Sequence, residues 1–181
     1  MSLADAPDLR VNERLHLYPY ERLEALSITS GIVGGLAGFY DGLKSSSLRY
    51  LTENGHRLPQ TVGGWYFYHK KKNYVMIVTG GKTAVHQGLK YSMSVGGFFG
   101  LEYLIDTYVR GGTKDFMNTT VAAGLFAGAY GKYYHLSRIQ VRNYVRNGTM
   151  LGLMLGLAQD MLIYRRGGSV WYVDKMKKME A

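Results

Sequence analysis

One stretch constrains this chain more than any other. From Gly96 to Gly128, and on to Gly131, it reads GGFFGLEYLIDTYVRGGTKDFMNTTVAAGLFAGAYG. An apolar, glycine-spaced run ends in a polar turn with Arg110 and Asp115, and a second glycine-spaced run begins at once. Two short membrane helices joined by a tight, charged hairpin are written this way. Glycine is the unusual count, at 24 of 181 residues. It is costly in a water-exposed helix but common in membrane helices, where small residues let backbones approach closely. The 16 tyrosines suit membrane interfaces. The mean hydropathy of -0.14 is low for a membrane protein, yet that average hides segregation. Charges crowd into 44–82, 138–146 and the two ends, and the segments between carry few.

Four spans follow from this pattern: about Leu23–Leu43, Gln87–Tyr108, Phe116–Tyr134 and Asn147–Tyr164. Each has about the length that a bilayer core requires. The expected fold class is an all-α membrane protein, with four short glycine-rich transmembrane helices and an interfacial segment between the first and second. A polar arm at 1–22 would precede the membrane domain at 23–165, and a basic tail at 166–181 would follow it. Within the domain, residues 44–83 would form a long interfacial loop, broken by Pro59 and the Gly63–Gly64 pair. Gly34, Gly38 and Gly42 share one helical face, as do Gly148, Gly152 and Gly156, and Gly96–Gly100 and Gly124–Gly128 repeat the spacing. Such runs are packing signals. A soluble helical bundle with close contacts is the competing reading.

The spans are not clean apolar runs. Asp41, Lys90, Glu102, Asp106 and Asp160 fall in or near them. Glu102 and Asp106 lie one helical turn apart and share a face. Charges in lipid are costly and turn toward protein, water or a partner. Two readings fit this pair: a polar groove or inter-subunit salt bridge, or Glu102 paired inside the bundle with Asp106 reaching the interface near Arg110. Lys and Arg divide almost evenly between the two sides of the four-span arrangement, so they give no orientation.

Other chemistry is thin. Without cysteine, disulfides, thiol catalysis, iron–sulfur ligation and cysteine zinc sites are excluded. The five histidines show no i, i+4 zinc spacing, and no Ser-His-Asp arrangement appears. Thr79–Thr83 resembles the end of a phosphate-binding loop, but Met76 stands where the first glycine is needed. A glycine-rich turn ahead of the second span is the expectation there. Asn118-Thr119-Thr120 and Asn147-Gly148-Thr149 read as helix caps rather than sugar sites. The net charge of +9 fits nucleic acid or an anionic lipid surface. The aromatic cluster running into Lys70–Lys72 reads as an element lying at a membrane surface, and no nucleic-acid motif accompanies it. Asp5, Asp8 and Glu13, with no apolar signal core, lead us to expect neither a secretory signal nor a cleavable mitochondrial presequence.

These residues resemble the mitochondrial inner-membrane preprotein-translocase (Tim) superfamily. Its signature of spaced small residues, an aromatic, Arg, Asp and Gly-x-x-x-Gly is supplied in order by Gly96, Phe99, Arg110, Asp115, Ala123, Gly124 and Gly128. The Arg–Asp spacer is one residue longer than usual, and Asn118 follows three residues after Asp115. Both traits are more similar to the respiratory complex I branch of the family, which holds an accessory membrane-arm subunit and an assembly factor. The resemblance implies a non-catalytic accessory or assembly subunit of complex I (NADH:ubiquinone oxidoreductase) in the mitochondrial inner membrane. Both termini would face the intermembrane space. Partners would be other membrane-arm subunits and inner-membrane lipids, with bound anionic phospholipid such as cardiolipin, no cofactor, no metal and no nucleic acid. Arg110 and Asp115 would stabilise the hairpin. The alternatives are a translocase component with a polar peptide-conducting groove at Glu102 and Asp106, and an amino-acid or metabolite transporter of the same superfamily.

Overall fold

The computed structural model describes residues 10–109 and 114–180. Every regular element among them is helical: α1 (Pro19–Asn54), α2 (Val62–Leu104), a π-helical turn (Ile105–Val109), α3 (Phe116–Tyr133), α4 (Arg138–Arg165) and α5 (Trp171–Glu180). A short 3₁₀ turn, Arg14–His16, precedes α1. The all-α expectation holds.

Two compact units divide the chain. The first is Leu26–Val95, an antiparallel pair made by most of α1 and α2. Its seam is built by glycine. A Cβ at Gly34 would fall 2.7 Å from that of Tyr91, one at Gly38 would fall 2.7 Å from the Thr83 carbonyl, and one at Gly42 would strike the Thr83 hydroxyl. Thr83 Oγ1 donates to the Gly38 carbonyl at 2.8 Å, so close approach also provides an inter-helix hydrogen bond. Tyr50 and Tyr68 close the far end edge to face, with centroids 5.1 Å apart.

The second unit joins the chain up to Ala25 with the chain from Gly96 onward. Its centre is the α3–α4 hairpin. Gly148 lies against Ala127, Gly152 against Ala123 and the Thr119 carbonyl, and Gly156 against Phe116. On the α3 side, Gly124 meets Thr149 and Gly131 meets Val141. Ser137 starts α4 with a capping box to Gln140, satisfying two otherwise orphaned groups. At the other end Gly167, at φ 81°, takes the left-handed conformation that ends the helix.

Several expectations need correction. Among the described residues one helix, Pro19–Asn54, is long and apolar enough to cross a membrane. The expected second, third and fourth spans do not meet that test, because Gly, Tyr, Thr and Asn dilute their aliphatic residues. Residues 44–83 form no long loop: α1 runs through Asn54, α2 begins at Val62, and only 55–61 lies outside them. The single bend suffices because helix-forming residues continue on both sides of Pro59. Thr79–Thr83 is the interior of α2 rather than a turn. Asn147 lies inside α4 and Asn118 in the first turn of α3, so neither is an N-cap. Gly100 faces open space instead of a helix.

Candidate functional site

The second unit buries charge at its centre. Arg14 is 1% exposed, Glu102 0%, Thr119 0% and Asn118 2%. Arg14 Nη1 donates to Glu102 Oε1, and also to Thr119 Oγ1 at 2.7 Å. Its Nη2 donates to the Asp115 carbonyl at 2.9 Å and to Asp106 Oδ1 at 3.4 Å. Thr119 Oγ1 in turn donates to Glu102 Oε1. Arg22 Nη2 lies 3.0 Å from Glu102 Oε2, an ion pair whose angle falls short of a hydrogen bond. The Arg22 guanidinium also sits over the Phe99 ring, 5.6 Å from its centroid. Asn118 Nδ2 donates to Asp106 Oδ1 at 2.7 Å.

Two guanidinium groups therefore face two carboxylates. The Arg14 guanidinium joins four segments: the end of α2, the π-helical turn, the Asp115 backbone and α3. A buried charge is tolerable only when paired and hydrogen-bonded in this way. The local backbone is bent to achieve it. Leu15 and His16 hold φ of 56° and 59°, a left-handed conformation that disfavours side chains. Such strain costs about 1–3 kcal/mol per residue and persists where the surroundings over-determine the geometry. The π-helical turn is the second departure. It begins after Leu104 and contains Asp106, which stays buried.

A second buried carboxylate supports the hairpin. Asp160, 2% exposed on α4, accepts the Phe116 backbone N–H at 3.0 Å and so caps α3 from the neighbouring helix. The Tyr172 hydroxyl donates to the same oxygen at 3.3 Å. Burial, together with the nearby Asp160 charge, pushes the Tyr172 phenol above its ordinary range. At the rim Lys114 pairs with Glu13, and Asn12 Oδ1 accepts the Ser169 N–H at 3.0 Å. The segment before α1 is thus pinned at both the hairpin entry and the exit of α4.

Part of the surface around this polar centre is aliphatic. Leu125, Met150, Leu151, Met154 and Met161 are all more than half exposed.

Of the residues expected to carry function, Glu102, Asp106, Phe99, Asp115 and Asn118 come together here. Ala123 and Gly124 are helix-packing positions, Gly128 touches Val145 at ordinary distance, and Gly96 lies within α2. Arg110 lies outside the described residues. The sequence reading gave no pairing role to Arg14, Arg22 or Thr119, and noted Asp160 only as a charge in or near a span. Thr119 and Asp160 had a usable signal, since each carries polarity at core spacing next to a glycine face. No group of His, Asp or Glu among the described residues is arranged to hold a metal ion. The site holds and neutralises charge, with its carboxylates already occupied by arginine. Neither protein-family models, nor curated proteins, nor solved structures give a match to this chain.

Proposed function

We propose that the protein is a non-catalytic, membrane-embedded subunit that stabilises the membrane arm of mitochondrial respiratory complex I, as an accessory subunit or an assembly factor. The observation that carries the membrane part is the inverted distribution of residues: paired charges inside, aliphatic side chains outside. In lipid an aliphatic exterior is solvated and polar groups must be satisfied internally. Helix α1, which has the length and apolar content to cross a membrane, would span the bilayer. The complex I assignment rests on the family resemblance, namely the lengthened Arg110–Asp115 turn and Asn118.

The pairing of Glu102 supports this reading over a translocase groove. A groove residue would be open to a passing peptide, whereas Glu102 is fully enclosed between Arg14, Arg22 and Thr119. Inner-membrane lipids and neighbouring membrane-arm subunits would then cover the exposed Leu and Met faces. Removing the protein from cells tests the proposal. Assembled complex I should fall, with membrane-arm intermediates accumulating and preprotein import preserved. Normal complex I with impaired import would reverse the choice.

A further inference from the structure

From Phe116 to Gln159 the chain contains no Asp or Glu, yet it holds Lys132, Arg138, Arg142 and Arg146. Three of these line one cleft of about 630 Å³ at the tip of the α3–α4 hairpin, together with His135 and Val141. None of the four has an ion pair among the described residues, and all are exposed. Arg138 breaks a local rule, whereas Lys132, in the last turn of α3, obeys it. Acidic residues belong in the first turn of a helix, where the macrodipole is positive; the first turn of α4 has none and begins with Arg138. Lys132 and Arg138 line the same cleft, where like charges repel. His135 also keeps φ at 51°, a position glycine would hold without strain, and its side chain lines the cleft. Local choices that oppose stability in this way mark sites that a ligand completes. Just inside the tip a tyrosine cluster packs, Tyr130 against Tyr134 and Tyr144 at 4.5 and 6.1 Å between centroids. Beyond it runs the aliphatic face of α4.

We infer that this cleft binds the phosphodiester headgroup of an anionic membrane lipid, with Lys132, Arg138 and Arg142 as the phosphate contacts and the tyrosines at the level of the glycerol backbone. Arginine matches phosphate oxygens bidentately, tyrosine suits the interfacial depth, and the aliphatic face below would accommodate the acyl chains. The assignment rests on the membrane reading given above, which is why the test separates the two.

The full chain, purified in mild detergent, is titrated with phosphatidylglycerol, phosphatidylcholine, inorganic phosphate and a short-chain, water-soluble phosphatidylglycerol, with binding read by native mass spectrometry. Phosphatidylglycerol should bind more tightly than phosphatidylcholine, and Arg138→Gln/Arg142→Gln should weaken it about 10- to 30-fold. Arg165→Gln/Arg166→Gln removes equal charge from the other end of α4 and should leave the affinity unchanged. Equal losses in both double variants would show diffuse attraction and overturn the site. So would equal binding of the two lipids. Inorganic phosphate that displaces phosphatidylglycerol at matching concentration would make this a soluble-phosphate site and overturn the lipid assignment. Alkaline carbonate extraction of cell membranes tests the membrane reading by itself. If the protein is extracted while short-chain phosphatidylglycerol still requires Arg138 and Arg142, that reading fails and the headgroup site stands.

Discussion

Arg14 joins more of the second unit than any other side chain, through Glu102, Thr119, Asp106 and the Asp115 carbonyl. Removing one member of a buried ion pair strands the other, at a cost of about 3–5 kcal/mol. Arg14→Ala and Glu102→Ala should each destabilise the folded protein by roughly that amount, measured by thermal unfolding in detergent. Because the two residues share one network, the double variant should lose about 1–3 kcal/mol less than the sum of the singles. Strict additivity would show that they act independently. The carboxylate half of this pair was legible: Glu102 and Asp106 are conspicuous in an apolar run, and charge in such a run must find a partner. The arginine half was not, because Arg14 sits in a polar segment that reads as an arm. Its burial depends on two left-handed residues, Leu15 and His16, and nothing in the composition of that segment announces them.

Helices here meet through glycine, and the packing gives those positions sharply different costs. Gly152 lies against Ala123 and the Thr119 carbonyl, so Gly152→Leu should overpack the α3–α4 seam and cost about 3 kcal/mol or more. Gly124→Leu, against Thr149 Oγ1 at 3.2 Å, should act in the same direction. Gly100 faces open space, and Gly100→Ala should instead stabilise by about 0.5–1 kcal/mol through helix propensity. Melting temperatures of the three variants would check this order; equal effects at Gly100 and Gly152 would mean the seam is misassigned. The faces Gly34–Gly38–Gly42 and Gly148–Gly152–Gly156 were readable because spacing four projects to one side of a helix. The bounds of α1 and α2 were not. Pro59 and Gly63–Gly64 suggested a long irregular segment, but Pro59 marks only a short break and Gly63–Gly64 lie in the first turn of α2. A few residues at 55–61 make that break, and the charged stretches on either side remain helical.

Paired charge buried in the second unit beneath an exposed face of Leu and Met is the property that binds these details together. The chain has a low mean hydropathy, and among the described residues one helix is long and apolar enough to cross a membrane; internal pairing offsets the cost of the buried charges, and tyrosine and glycine depress the average. The buried pairing yields a pair of expectations for the intact protein. Glu102→Ala/Asp106→Ala should lower the amount of folded protein and leave import of other preproteins unchanged, since those carboxylates hold arginine and asparagine rather than a substrate. Import assays in mitochondria carrying the double variant check this. The most direct test is native-gel separation of mildly solubilised mitochondrial membranes, with mass spectrometry of the band that contains the protein. The account predicts co-migration with complete complex I or with its membrane-arm intermediates. Migration with import receptors and channel subunits, or release as a soluble species without detergent, would contradict it.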